Sequence, residues 1–167
     1  MYDIIILEDR DNMDNIMRFG IEEARKTMNE NKGGPFGAVI TDSDGNIISV
    51  ASNLVLERHD PTAHAEVNAI REACKKLGTY DLSGYVLYAT GHPCPMCMSA
   101  IIWANIKKVY FGCTPEDAEK IGFRDDFIYR FINDGCTDKG VMEIIPHERE
   151  ACLELFKEYS EKEKTIY

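Results

Sequence analysis

Tyr85-Val86-Leu87-Tyr88-Ala89-Thr90-Gly91-His92-Pro93-Cys94-Pro95-Met96-Cys97-Met98-Ser99-Ala100-Ile101-Ile102-Trp103-Ala104-Asn105-Ile106-Lys107-Lys108-Val109-Tyr110-Phe111-Gly112 is the stretch that decides the fold. Tyr85 to Thr90 has the residue types that favour a strand. Pro95 stands where a helix takes its first residue without loss, since the N–H that proline lacks has no partner there. Cys94 lies just before it, and the helix runs to about Ala104. Lys108 to Gly112 is a second strand. A strand, a helix and a strand make a β-α-β unit, whose strands must be parallel and whose crossover is right-handed.

Working outward, Thr62 is placed to cap a helix over Ala63 to Leu77, ended by Gly78. Phe36 to Thr41 and Asn46 to Ala51 read as strands joined by the turn Ser43-Asp44-Gly45. Asn12 to Glu30 has Ile16, Phe19, Ile21, Ala24 and Met28 near helical spacing, and Gly33-Gly34-Pro35 stops that helix. Beyond the central unit, Pro115 to Ile121 and Asp125 to Ile132 read as helices. Val141 to Ile145 reads as a last strand, and His147 to Lys164 as a charged final helix. The architecture predicted is α/β, a single domain over 1–167 with helices on both faces of a mixed sheet.

The composition narrows the function. Nineteen basic against 29 acidic residues give a net charge of −10. Such a chain repels polyanions unless it carries a local basic patch, and its only Lys-Lys pairs are Lys75-Lys76 and Lys107-Lys108. Nucleic acid is therefore not the expected partner. The N-terminus carries Asp3, Glu8 and Asp9 around the short run Ile4 to Leu7, unlike a secretory signal, and no apolar run is long enough to span a bilayer. A cytoplasmic location without membrane attachment is expected. The cysteines at 74, 94, 97, 113, 136 and 152 then need not form disulfides.

Two short motifs carry the chemistry: His64-Ala65-Glu66 and Pro93-Cys94-Pro95-Met96-Cys97. Cys94 and Cys97 are three apart at a helix start and share a face. The positive end of the helix favours thiolates there. With His64 they make three ligands for one zinc ion and leave a fourth position open, the arrangement of a catalytic rather than a structural site. Glu66 is close to a ligand without being needed as one, so it is free to carry protons. One difficulty stands: on a regular helix residues two apart diverge by about 200°. His64 and Glu66 converge only if His64 lies in an irregular first turn or the Glu66 side chain curls back.

The pattern H-x-E followed by P-C-x-x-C is the signature of zinc-dependent nucleobase deaminases, and the chain resembles the cytidine deaminase superfamily. Within it the likeness is to the small, cytidine-deaminase-like bacterial guanine deaminases. Gly33 to Ile40, Asp60 to Glu66, Trp103-Ala104, Gly122 to Tyr129 and Tyr167 all look like that group. The resemblance implies a three-layer α/β/α sandwich around a five-stranded mixed sheet, one Zn2+ per chain, and hydrolysis of guanine at C2 to xanthine and ammonia. It implies a homodimer that exchanges C-terminal segments, 148–167, so that Tyr167 closes the partner's site. By position it implies purine binding by Asn53, contacts from Phe36, Ala65 and Trp103, and help from Asp117 in handling the substrate amine. The chain departs from the pattern at His92, where relatives carry glutamate, and from Gly135 to Glu148.

Two other readings use the same residues. One is a deaminase of a nucleoside, such as guanosine or cytidine, or of tRNA adenosine; a tRNA enzyme should carry basic residues along its rim. The other is a non-catalytic zinc-binding module, which would have no use for Glu66.

Overall fold

The computed structural model describes residues 15–166. The expected helix start at Asn12 and the terminal Tyr167 lie outside them. The chain divides after Asp125 into two compact units.

The first unit runs α1 (Ile16–Asn29), β1 (Gly37–Thr41), β2 (Ile47–Ser52), α2 (Val55–Arg58), α3 (Ala65–Leu77), β3 (Val86–Gly91), α4 (Pro95–Trp103), β4 (Lys108–Cys113) and α5 (Pro115–Lys120). Its sheet has the order β2-β1-β3-β4. β1 pairs antiparallel with both β2 and β3, and β3 pairs parallel with β4, as the β-α-β reading requires. Alternation along β1 sorts the core into two faces. Ala38 and Ile40 pack with Ala65, Ala69 and Ala73 of α3 and Ile101 of α4. Val39, between them, packs with Ile16 of α1, Ile47 and Tyr88. Helices thus cover both faces of a mixed sheet.

α1 lies close on the sheet because Gly37 lets it. A Cβ on Gly37 would stand 2.0 Å from the carbonyl oxygen of Gly20. That approach brings helix backbone onto strand backbone, which no side chain would permit.

The second unit holds α6 (Asp126–Asn133) and α7 (Arg149–Ser160). α7 leaves Leu155, Phe156 and Tyr159 exposed along one stripe. The Tyr159 hydroxyl donates to the carbonyl of Thr165 at 3.0 Å.

Two expectations are corrected. The sheet has four strands among the described residues, not five. Val141 to Ile145 forms no ladder: the N–H groups of Val141 and Met142 turn back to the Asp138 carbonyl, and the segment is exposed. An apolar run becomes a strand only against a partner strand, and among the described residues this one pairs with none. Thr62 does not cap α3 either. Its backbone N–H and hydroxyl both donate to Asp60 Oδ1 (2.8 and 2.7 Å), and His64 takes the N-cap. No helix among the described residues is long and apolar enough to cross a membrane.

Candidate metal centre

The site forms where two helices begin. His64 is the N-cap of α3 and Cys94 the N-cap of α4, both in extended backbone conformation (φ −70°, ψ 157° and φ −66°, ψ 169°). Pro95 then opens α4, as its fixed φ favours. Cys94 emerges just past the carboxyl end of β3, where its pairing with β4 continues through a 2.9 Å bond from the His92 N–H to the Cys113 carbonyl.

Nδ1 of His64 lies 3.6 Å from the sulfur of Cys94 and 3.6 Å from that of Cys97. A tetrahedral zinc bound at about 2.3 Å to sulfur and 2.0–2.1 Å to nitrogen separates those atoms by about 3.6 Å. All three ligand atoms fall within 4.8 Å of one another. The donor set and its spacing therefore fit zinc, with a fourth position left for a small ligand.

The extended conformation of His64 removes the difficulty posed by its spacing from Glu66. His64 stands outside the helix, so the 200° divergence does not apply. Glu66, the second residue of α3, is only 7% exposed. Its carboxyl hydrogen-bonds the Cys97 thiol, and burial pushes it above the usual carboxylate range. Without metal, the Cys97 thiol pulls Cys94 down to about 4, against burial and with help from His64. Cys97 is pushed up by its bond to the Cys94 thiolate and by burial. His64 is raised, chiefly by its bond to Cys94. Two helix N-termini add positive potential at the point where the thiolates gather.

The remaining candidates divide. Asn53 is buried at the end of β2, and its Oδ1 accepts from the N–H groups of Gly34 and Val55, each at 3.2 Å. A Cβ on Gly33 would stand 2.0 Å from the Asn53 carbonyl oxygen, so the glycine makes room for this residue. Beyond stopping the first helix and opening the Gly33–Ile40 resemblance, Gly33 thus has a packing task that its sequence context does not show. Ala65, the first residue of α3, is fully buried. Phe36 meets Phe123 edge-on with centroids 4.9 Å apart. Phe36 and Asp117 both line a largely apolar cavity of about 430 Å³ beside α1, to which no zinc ligand contributes.

Asp117 is exposed, forms a capping box with Thr114 at the start of α5, and pairs with Lys120 at 3.0 Å. Lys120 first, then Thr114, hold its carboxyl below the usual range. Trp103 ends α4 and is 74% exposed. His92 is not among the gathered ligands; its ring stands edge-on to Phe111, with Nδ1 buried and lacking a hydrogen-bond partner among the described residues.

Residues 10–113 match the cytidine and deoxycytidylate deaminase zinc-binding region. The chain belongs to this family. It is a zinc-dependent hydrolytic deaminase, with one zinc site formed by His64, Cys94 and Cys97. It is 44% identical to the guanine deaminase of Bacillus subtilis over 78% of this chain and 83% of that protein. It is also 44% identical to the tRNA-specific adenosine deaminase of Aquifex aeolicus, over 58% of this chain and 62% of that one. The crystal structure of Bacillus subtilis guanine deaminase superposes with a TM-score of 0.81 at 38% identity, covering 93% of this chain and 99% of that chain.

Proposed function

We propose that the chain hydrolyses guanine to xanthine and ammonia, as a homodimer in the cytoplasm. The extent of the likeness carries the choice of substrate. It spans 93% of the chain for the guanine deaminase, against 63%, with a TM-score of 0.59, for a tRNA A34 deaminase. The net charge of −10 also gives a tRNA little to hold.

Zinc, when bound, lowers the pKa of a coordinated water from about 15.7 to about 7. Glu66 takes the proton released as water adds at C2 of the base and gives it to the ring nitrogen, then moves the proton of the new C2 hydroxyl to the departing amine. Ammonia leaves and a carbonyl remains at C2. A buried carboxyl with raised proton affinity suits both halves of that transfer.

Asn53 has its Oδ1 committed to two backbone N–H groups, which fixes the amide plane and leaves its NH2 to a ring acceptor. The Ala65 N–H belongs to the first turn of α3, where helices leave donors without intrahelical partners. Phe36 walls the base, and Asp117 accepts from the exocyclic amine. Trp103 and the partner's Tyr167 complete the enclosure once C-terminal segments are exchanged. Among the described residues β4 is an edge strand, and that edge and the apolar stripe of α7 support the exchange.

The test is ammonia release from guanine, guanosine, cytidine, a diaminotriazine, a pterin and a tRNA anticodon arm. Guanine should give the highest kcat/KM. Release from cytidine or tRNA with none from guanine would overturn the reading.

A further inference from the structure

Asn68 is 1% exposed, one turn into α3 on the face that otherwise carries Ala65, Ala69 and Ala73. Asparagine is a poor helix former, and a buried amide is costly unless its groups are paired. Here it is paired on both sides. Nδ2 donates to the carbonyl of Ser52 at 2.9 Å and to that of Ala63 at 3.1 Å. Oδ1 accepts from the Arg58 guanidinium at 2.9 Å. Ser52 immediately precedes Asn53, and Ala63 immediately precedes the zinc ligand His64. The Ala63 carbonyl also receives the Leu54 N–H at 2.9 Å, so both strands of the junction close on one point.

We propose that Asn68 is a positioning residue that sets the metal ligand and the purine-binding asparagine in register, through one amide joining the carbonyls before His64 and Asn53. Arg58 fixes which side of the amide faces those carbonyls. The half that concerns Asn53 rests on the guanine reading; the half that concerns His64 does not. Side chains in the tier behind metal ligands typically govern about 10–100-fold in metal affinity or activity, and Asn68 sits in that tier through the backbone.

Ser49 supplies the control. It also ties β2 to α3, its Oγ donating to the Ala69 carbonyl at 2.9 Å, but it adjoins neither His64 nor Asn53. Full-length Asn68→Asp, Asn68→Ala and Ser49→Ala should be compared for zinc affinity by chelator competition, for kcat and KM per bound zinc, and for Tm. Asn68→Asp keeps the shape and the Arg58 contact but loses both donors. It should weaken zinc binding and raise KM, each by about tenfold or more, with kcat changing less. Ser49→Ala should lower Tm and leave zinc affinity and KM alone.

Wild-type zinc affinity and KM in Asn68→Asp, or equal shifts in Ser49→Ala, would overturn the proposal. If neither Asn68 variant folds, Arg58→Met decides: shifts in the same direction support it, and none refutes it. Should the wild type turn over another base in place of guanine, KM is read with that base. The zinc measurement stands in either case.

Discussion

His64 and Glu66 sit two residues apart and reach the same thiol: Nδ1 of His64 is 3.6 Å from the Cys97 sulfur, and the Glu66 carboxyl hydrogen-bonds that thiol. They converge because one is the extended N-cap and the other the second residue of the helix. A candidate ligand outside the helix and a buried carboxyl inside it thus reach one centre.

That centre should release protons as it takes up zinc. Without metal, Cys94 is a thiolate at neutral pH, with a pKa of about 4, whereas Cys97 and His64 hold their protons more tightly than usual. Zinc requires both thiolates and a neutral imidazole. Binding near pH 7 should release roughly one to two protons, measurable by calorimetry in buffers of different ionisation enthalpy. Lower pH restores protons to His64 and Cys97, so zinc affinity should fall as pH falls. Cys94→Ala or Cys97→Ala should lose zinc and activity together; full zinc content in both would remove them from the ligand set.

Asp117 has a structural task and a proposed chemical one, and the two separate experimentally. Thr114→Ala breaks the same capping box and should cost about 1 kcal/mol of stability with kcat unchanged. Asp117→Asn should keep zinc but lower kcat. If the two variants match in both Tm and kcat, Asp117 only caps α5.

Gly33→Ala would drive a Cβ to 2.0 Å from the Asn53 carbonyl oxygen. Neither backbone can yield cheaply, so a loss of about 1–3 kcal/mol is expected, as for other overpacked sites. KM for guanine should rise while zinc content stays full. An unchanged KM would detach Asn53 from substrate binding.

The β-α-β unit and the Cys94–Cys97 pair were legible because each depends on residues close in sequence: Pro95 at a helix start, two cysteines three apart; His64, 30 residues before Cys94, was legible only through the H-x-E motif around it. Thr62 misled because a good capping residue has a rival partner two residues back, Asp60. α2 was missed, since its four residues carry no periodicity. Val141 to Ile145 has strand composition, yet composition does not supply a neighbouring strand. Asn68 and Gly33 act across 16 and 20 residues of chain, on carbonyls that only the fold brings near. A polar residue on an alanine-rich helix face was the one sequence signal for Asn68.

The tail tests assembly. Deleting Lys164 to Tyr167 should sharply lower activity and leave zinc bound, because no ligand lies there. On the proposed exchange, mixing that chain with a Glu66→Gln chain should restore part of the activity, since the intact Glu66 site would receive the other chain's Tyr167. Demonstrated subunit exchange with no recovery would mean that the tail does not act across the dimer.

The most direct test takes zinc content and guanine turnover from the same preparations of wild type and Glu66→Gln. Both should hold about one zinc per chain, from three ligands and an open position. Turnover in Glu66→Gln should fall by about 10²–10⁴-fold or more, the usual worth of general acid–base transfer. Turnover near the wild-type rate at full zinc would contradict the assignment of Glu66 as proton carrier at this centre.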